Sequence, residues 1–252
     1  RGLGDVYKRQ MQSVSPQYEA EEKITVNGNV DLYAVVFNRT TETDLTEDQL
    51  PQVDIYKYKQ VIFVGDSRTE FMENVLTGMG ESVTKNVKFV CSAGKGLDWF
   101  TTTGWAQLYS IVQHDSNSIL SKKTAVIFNF GVNDLSKSAD YAEYYNWIAP
   151  QLKSKGCELY FMSVNPVNRL MLPNAGRADR SEAAVRSFNQ YMKANLSSAY
   201  TYIDMYSYLK STGYSFASDH YGTGTVDDGL HYTTRTYKRI FAKCMDSLRV
   251  PA

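Results

Sequence analysis

The sequence predicts an α/β fold: a three-layer α/β/α sandwich around a mostly parallel five-stranded sheet, with a short N-terminal β-hairpin appendage. From Gln60 onward, short apolar runs alternate with longer amphipathic stretches, which is typical of βαβ units. Right-handed crossovers then place helices on both faces of the sheet. The 252 residues, of which 43% are hydrophobic and 21% charged, suffice for one sizeable domain.

The apolar runs predict the strands, which we place at 61–64, 87–90, 124–130, 158–164 and 201–203. The amphipathic stretches predict helices at 69–77, 100–113, 139–155, 180–195 and 233–248. We expect Pro150 to kink or shorten the third helix, because proline lacks the backbone N–H that a helix interior uses. Two long loops, 165–179 and 211–229, should leave the sheet at its carboxyl edge, where open α/β sheets bind ligands.

The first part of the chain differs from the rest. Residues 1–12 are expected to be non-native or disordered, since RGLGDVYKRQ resembles a translated sequencing adapter. For residues 13–59 the sequence predicts a β-hairpin appendage and a linker, with Asn27-Gly28 forming the tight two-residue turn of the hairpin. The main domain is predicted to cover 60–252.

Composition excludes several classes of function. Lys+Arg and Asp+Glu number 27 each, so no basic field favours nucleic acid as a partner. No apolar run approaches the roughly 18 residues of a membrane span. The three cysteines, Cys91, Cys157 and Cys244, fit neither a disulfide framework nor a CxxC metal site, and we predict them to be buried apolar residues.

The stretch 61–69, VIFVGDSRT, places Ser67 between the end of a buried strand and the start of a helix. The first N–H groups of that helix lack intrahelical partners and point at whatever lies beside the serine. Ser67 is therefore a candidate nucleophile. Because Asp and Ser are also favoured helix caps, the stretch alone fits a structural cap equally well.

Three further motifs are expected at the same edge of the sheet. They are the glycine turn 91–96 (CSAGKG), the strand end 131–134 (GVND) and the segment 228–231 (DGLH). Taken alone, each motif also fits a purely structural interpretation: the first as a simple turn, the second as an Asx-type cap and the third as a surface histidine. Together, a serine, two sets of N–H donors and an Asp-supported histidine are the groups that acyl transfer needs.

Taken in order, these four motifs resemble the four sequence blocks of the SGNH hydrolases, also called GDSL-type esterases. The resemblance covers roughly residues 60–249. It implies a flavodoxin-like fold of the SGNH hydrolase type. It also implies hydrolysis of esters or thioesters with no metal and no organic cofactor.

The resemblance carries roles to individual positions. Ser67 becomes the nucleophile, His231 the general base, and Asp228 the residue that orients the base. The oxyanion hole would consist of the backbone N–H groups of Ser67 and Gly96 with the side-chain amide of Asn133.

Two positions depart from the family pattern. The first block reads GDSR, so Arg68 brings a charge beside the nucleophile, and we assign it to substrate binding, with a merely solvated side chain as the alternative. Cys91 replaces the asparagine that often opens the second block. Counting five residues on selects Gly96 as the donor, and Gly94 is the alternative.

We therefore expect a serine esterase that removes short acyl groups, acetyl above all, from carbohydrate, because no amphipathic lid for lipid is evident. The alternatives are an acyltransferase on the same scaffold and a non-catalytic, cell-surface glycan-binding module, the latter resting on the 19 tyrosines. The expected partner is a small-molecule or glycan ester. A secreted or cell-surface bacterial protein is the favoured setting, with a cytoplasmic one as the alternative.

Competing signatures fail on single residues. A P-loop would need Ser or Thr where Gly96 stands, and a dinucleotide-binding turn would need glycine at Trp99. The GxSxG elbow fails at Thr69. His114 and His220 are predicted to be structural or solvated, although Asp219-His220 is a pair that could compete with the Asp228 and His231 pair.

Overall fold

The computed structural model describes residues 43–54, 57–115, 122–173, 176–217 and 227–248. These residues all belong to one compact unit, Thr41–Ala252. The predicted hairpin, residues 1–12 and the Asp219-His220 pair lie outside the described residues.

The sheet has five strands, as predicted: β1 Tyr58–Gly65, β2 Val87–Cys91, β3 Lys123–Asn129, β4 Cys157–Met162 and β5 Tyr200–Ile203. They lie in the order β2-β1-β3-β4-β5, and all four pairings are parallel. This is the flavodoxin-like order of doubly wound α/β folds.

The main helices are α1 Ser67–Met79, α2 Trp105–Asp115, α3 Ser138–Ser154, α4 Glu182–Asn195, α5 Met205–Thr212 and α6 Thr234–Ser247. A short α-helical turn, Leu97–Trp99, and a π-helical segment, Phe100–Gly104, lead directly into α2. No helix among the described residues is both long enough and apolar enough to span a bilayer.

Alternate residues of each strand enter two separate cores, because successive side chains of a strand point to opposite faces. On β1, Ile62 and Val64 face a core that the segment 97–115, α3 and α4 cover. Val61 and Phe63 face a second core that α1, α5 and α6 cover. The three-layer sandwich predicted from the sequence is therefore confirmed.

The central strands end level with one another. Gly65, the last residue of β1, pairs with Cys91 at the end of β2 and with Asn129 at the end of β3. Because parallel strands all point the same way, the segments that follow these three ends emerge at one edge. That edge carries Ser67, the glycine turn and the GVND segment.

Some local features differ from the predictions. Helix α3 continues past the exposed Pro150 to Ser154, so the proline does not shorten it there. Helix α5 was not predicted. Packing also begins before Gln60, since Leu50 and Val53 are buried in the second core.

Candidate active site

Ser67 is the first residue of α1, immediately after a tight turn from β1. The turn needs glycine at position 65, where an added Cβ would lie 2.0 Å from the Thr69 hydroxyl and 2.9 Å from the Asn129 carbonyl. Asp66 caps the helix by accepting the backbone N–H of Arg68 at 3.0 Å. The sequence therefore fixes Ser67 at a helix N-terminus, where unpaired N–H groups favour negative charge.

Ser67, His231 and Asp228 form one continuous chain of hydrogen bonds. The Ser67 hydroxyl lies 2.9 Å from His231 Nε2, and His231 Nδ1 lies 2.7 Å from Asp228 Oδ2. All three side chains are buried. The hydrogen bond to Asp228 keeps the proton on Nδ1, so Nε2 is left to accept the serine proton.

Asp228 is held ionised by several donors. Its Oδ1 accepts the backbone N–H groups of Leu230 at 2.9 Å and His231 at 2.8 Å, and Arg177 donates to its Oδ2 at 3.2 Å. Burial alone would raise the pKa of Asp228, but the hydrogen bonds from His231 and the backbone hold it below its ordinary value. The carboxylate can therefore orient the imidazole without taking its proton.

His231 stacks on Phe71, one turn along α1 from the serine, with ring centroids 4.2 Å apart. Burial lowers the pKa of His231, against the opposing effect of Asp228, and the charges of Arg68 and Arg177 lower it further. The imidazole is therefore favoured in its neutral form, the form that accepts a proton.

The proposed oxyanion donors lie on three segments, each of which follows the end of a strand. Within the described part of the chain, the backbone N–H groups of Ser67 and Gly96 have no hydrogen-bond partner. Asn133 donates one amide hydrogen to the Lys95 carbonyl at 2.8 Å. Its amide nitrogen carries a second hydrogen, which remains for a ligand. Gly94 has a φ of +69° and open space around it.

The model of the family described as GDSL-like lipase/acylhydrolase matches residues 61–244. The chain belongs to this family. The resemblance drawn from the four motifs is thereby confirmed, and the acylhydrolase is an enzyme that acts on ester bonds.

Two solved structures share the fold of the acylhydrolase at low sequence identity. A protein of Slackia heliotrinireducens assigned to the SGNH hydrolases aligns with a TM-score of 0.54 at 12% identity, covering 77% of this chain and 100% of that one. The acetyl xylan esterase AlAXEase aligns with a TM-score of 0.52 at 12% identity, covering 75% and 100%. No curated protein matches the acylhydrolase in sequence.

Asp134 joins the glycine turn to the GVND segment, a role that the sequence did not reveal. Its Oδ2 accepts the backbone N–H of Leu97 at 2.9 Å, and its Oδ1 accepts the hydroxyl of Tyr141 at 2.7 Å. A Cβ at position 96 would lie 2.3 Å from this carboxylate, so only glycine allows the approach. Gly96 is therefore held against the segment that carries Asn133.

Arg180 fixes the orientation of Asn133 in the acylhydrolase. Its Nη2 donates to Asn133 Oδ1 at 2.9 Å, and its Nε donates to the Val132 carbonyl at 2.6 Å. With its oxygen bound by Arg180, the Asn133 amide turns its nitrogen toward the glycine turn, where it donates to the Lys95 carbonyl. The predicted loop 165–179 likewise supplies Arg177 to Asp228.

The substrate-binding assignment of Arg68 is wrong. The side chain is only 2% exposed, and its guanidinium donates to the backbone carbonyls of Leu230, Asn165 and Pro166 at 2.8–2.9 Å. It is therefore neither solvated nor directed at the cleft. An arginine next to a nucleophile suggested ligand binding, but three carbonyls from distant segments meet its guanidinium instead.

The lowered pKa of His231 predicts the pH dependence of ester hydrolysis. An imidazolium cannot accept the serine proton, so the rate should fall with decreasing pH, with a midpoint below about 6.5, the ordinary histidine value. The measurement is kcat/KM for a chromogenic acetyl ester between about pH 4 and 8, with the rate of Ser67→Ala subtracted at each pH. A midpoint at or above about 7 would contradict the assignment.

Proposed function

We propose that the acylhydrolase is a serine esterase that removes short acyl groups, acetyl above all, from carbohydrate. The single observation that supports the catalytic part is the unbroken hydrogen-bond chain from Ser67 through His231 to Asp228. A nucleophile, a base and an orienting carboxylate in this arrangement are what acyl transfer requires.

The reaction proceeds in two halves. The Ser67 hydroxyl attacks the ester carbonyl carbon while His231 Nε2 takes its proton, and the resulting tetrahedral intermediate collapses as the imidazolium protonates the leaving alkoxide. The acyl group is then covalently bound to Ser67. A water molecule attacks this acyl-enzyme, gives its proton to His231, and the carboxylic acid leaves as the proton returns to Ser67.

The oxyanion of each tetrahedral intermediate is assigned to three donors: the backbone N–H groups of Ser67 and Gly96 and the Asn133 amide. Gly96 is favoured over Gly94 because hydrogen bonds to the GVND segment hold both of its neighbours. The Lys95 carbonyl accepts from the Asn133 amide, and the Leu97 N–H donates to Asp134. Gly94 stands in open space without such ties.

The carbohydrate part of the proposal rests on a groove whose lining includes Leu97, the residue that follows Gly96. The groove, of about 320 Å³, lies between the 97–101 turn and α3, and its lining consists of Leu97, Thr101, Asp140, Glu143, Tyr144 and Trp147. Trp147 is 58% exposed and lies 5.6 Å from Tyr144 between ring centroids.

Aromatic faces pack against the C–H faces of sugar rings, and carboxylates accept hydrogen bonds from sugar hydroxyls. The carboxylates of Asp140 and Glu143 also disfavour an anionic glycan there. An acetyl xylan esterase is among the proteins that share the fold, so a neutral acetylated glycan is the first substrate to test.

Replacing the nucleophile tests the catalytic proposal. Ser67→Ala should lower kcat for a chromogenic acetyl ester on the order of 10⁴-fold or more, because the acyl-enzyme can no longer form. The wild-type enzyme should also bind a fluorophosphonate covalently at Ser67, as read by mass spectrometry. Turnover by folded Ser67→Ala at the wild-type rate would overturn the proposal.

The same assay separates hydrolase from acyltransferase. If an added sugar hydroxyl intercepts the acyl-enzyme in preference to water, acetylated sugar accumulates in place of free acetate. Free acetate as the main product supports the hydrolase.

Asn133→Ala should lower kcat by roughly 10²- to 10³-fold, because one oxyanion donor is lost. KM should change little, since the bond strengthens only in the transition state. The measurement is steady-state kinetics, with circular dichroism to confirm the fold. A wild-type kcat in this variant would remove Asn133 from the oxyanion hole.

Trp147→Ala should raise KM for an acetylated oligosaccharide by about tenfold, which corresponds to losing roughly 1.4 kcal/mol of binding free energy. The rate with a small chromogenic acetyl ester should stay unchanged, because Trp147 contacts Trp105, Tyr144 and Gln151, which are not residues of the proposed catalytic site. Tyr191, an aromatic residue 39% exposed on α4, gives the matched control Tyr191→Ala, which should affect neither substrate. Equal loss with both substrates, or none, would exclude the groove as a glycan site.

A further inference from the structure

Arg68 forms an unusual buried contact with both neighbours of His231. Its Nε donates to the carbonyl of Leu230 at 2.9 Å, and its guanidinium carbon lies 5.1 Å above the ring centre of Tyr232. One residue on each side of the imidazole is therefore held by a side chain that directly follows Ser67 in the sequence.

The other two contacts tie the same guanidinium to the loop after β4. Nη1 donates to the Asn165 carbonyl at 2.9 Å and Nη2 to the Pro166 carbonyl at 2.8 Å. Tyr232 donates its hydroxyl to the Pro166 carbonyl as well, at 2.5 Å. Arg68, Tyr232 and Pro166 thus form a closed link between α1, the His231 segment and the β4 loop.

This link is needed because the His231 segment is not part of the sheet. The serine, the glycine turn and Asn133 follow strands whose ends are level by register, whereas residues 228–231 lie between a loop and α6. Backbone hydrogen bonds tie this segment to other loops, since Asn168 donates its N–H to the Gly229 carbonyl and Ala217 donates to the His231 carbonyl, both at 2.8–2.9 Å. Contact with the helix that carries Ser67 comes from side chains. Arg68 and Phe71, within the first two turns of α1, supply these side-chain contacts.

We propose that Arg68 is a positioning residue that holds the His231 segment at hydrogen-bonding distance from Ser67. The inference rests on the proposed function of Ser67 and His231. It predicts that Arg68 acts on catalysis in two separable ways, through the geometry of three directed hydrogen bonds and through its positive charge.

Among the described residues, three charged groups face the imidazole: Asp228 from its own turn, Arg177 from the 165–179 loop and Arg68 from α1. Arg68 lowers the pKa of His231. Removing its charge should therefore raise the pH at which the imidazole becomes protonated. A lysine keeps the charge, but its compact ammonium cannot reproduce the planar fork that reaches three carbonyls.

Two variants separate the geometric and electrostatic effects, with a small chromogenic acetyl ester as substrate. Arg68→Met should lower kcat by roughly 10- to 100-fold, since small displacements of catalytic groups have effects of that size, and should move the acidic midpoint of kcat/KM to higher pH. Arg68→Lys should lower kcat similarly and leave the midpoint near the wild-type value.

Arg239 offers a matched control. It is also a buried arginine, and it donates to the carbonyls of Gly213 at 2.9 Å and Thr212 at 3.3 Å, where α5 ends. Its guanidinium carbon lies 5.6 Å above the centre of the Tyr208 ring. Arg239→Met should lower the unfolding temperature while leaving kcat and the midpoint unchanged.

The outcomes distinguish this inference from the proposed function. If the wild-type enzyme shows no turnover that depends on Ser67, the proposed function fails. If that turnover is present and folded Arg68→Met keeps the wild-type kcat and midpoint, only the inference is overturned. It is also overturned if Arg239→Met reproduces the catalytic loss, or if neither Arg68 variant folds, because Arg68 would then serve the fold in general.

Discussion

The register of the three central strands is the constraint on which the site depends. Gly65 pairs with both Cys91 and Asn129, so the three segments that follow begin at one level of the sheet. Parallel pairing of buried strands is rigid, and a shift of one residue would reverse every side chain between the two cores. The positions of Ser67, Gly96 and Asn133 therefore follow from packing throughout the domain, far from the reacting atoms.

Two buried aspartates beside Ser67 and His231 show how hydrogen-bond donors decide the state of a carboxyl group. Asp66 accepts one backbone N–H through its side chain among the described residues, and burial raises its pKa to about 6. Asp228 accepts two backbone N–H groups, the imidazole and Arg177, and its pKa is lowered although it is equally buried. The carboxylate that must stay charged near neutral pH is the one with the larger set of donors.

Sequence patterns predicted the parts of the molecule that rest on local periodicity or on a motif. All five strands were found within a few residues of their predicted bounds, because buried runs of apolar residues bounded by turns have few alternative structures. Helix α5, only eight residues long, was missed. Asp134, Arg177 and Arg180 were missed because their roles consist of contacts with residues 37 to 51 positions away. No periodicity encodes such contacts.

Arg68, which the sequence analysis assigned to substrate binding, shows both the free-energy cost and the structural effect of such long-range contacts. A leucine at this position could pack on Tyr232 without burying a charge. The arginine instead buries a guanidinium that has no carboxylate within ion-pair distance among the described residues, and burial of an unpaired cation opposes folding. Three backbone carbonyls and the face of the Tyr232 ring offset that cost, and the carbonyls belong to segments that must meet beside His231. A leucine has no N–H donor for these carbonyls. The guanidinium therefore adds a fixed geometry between elements that the sheet alone does not align.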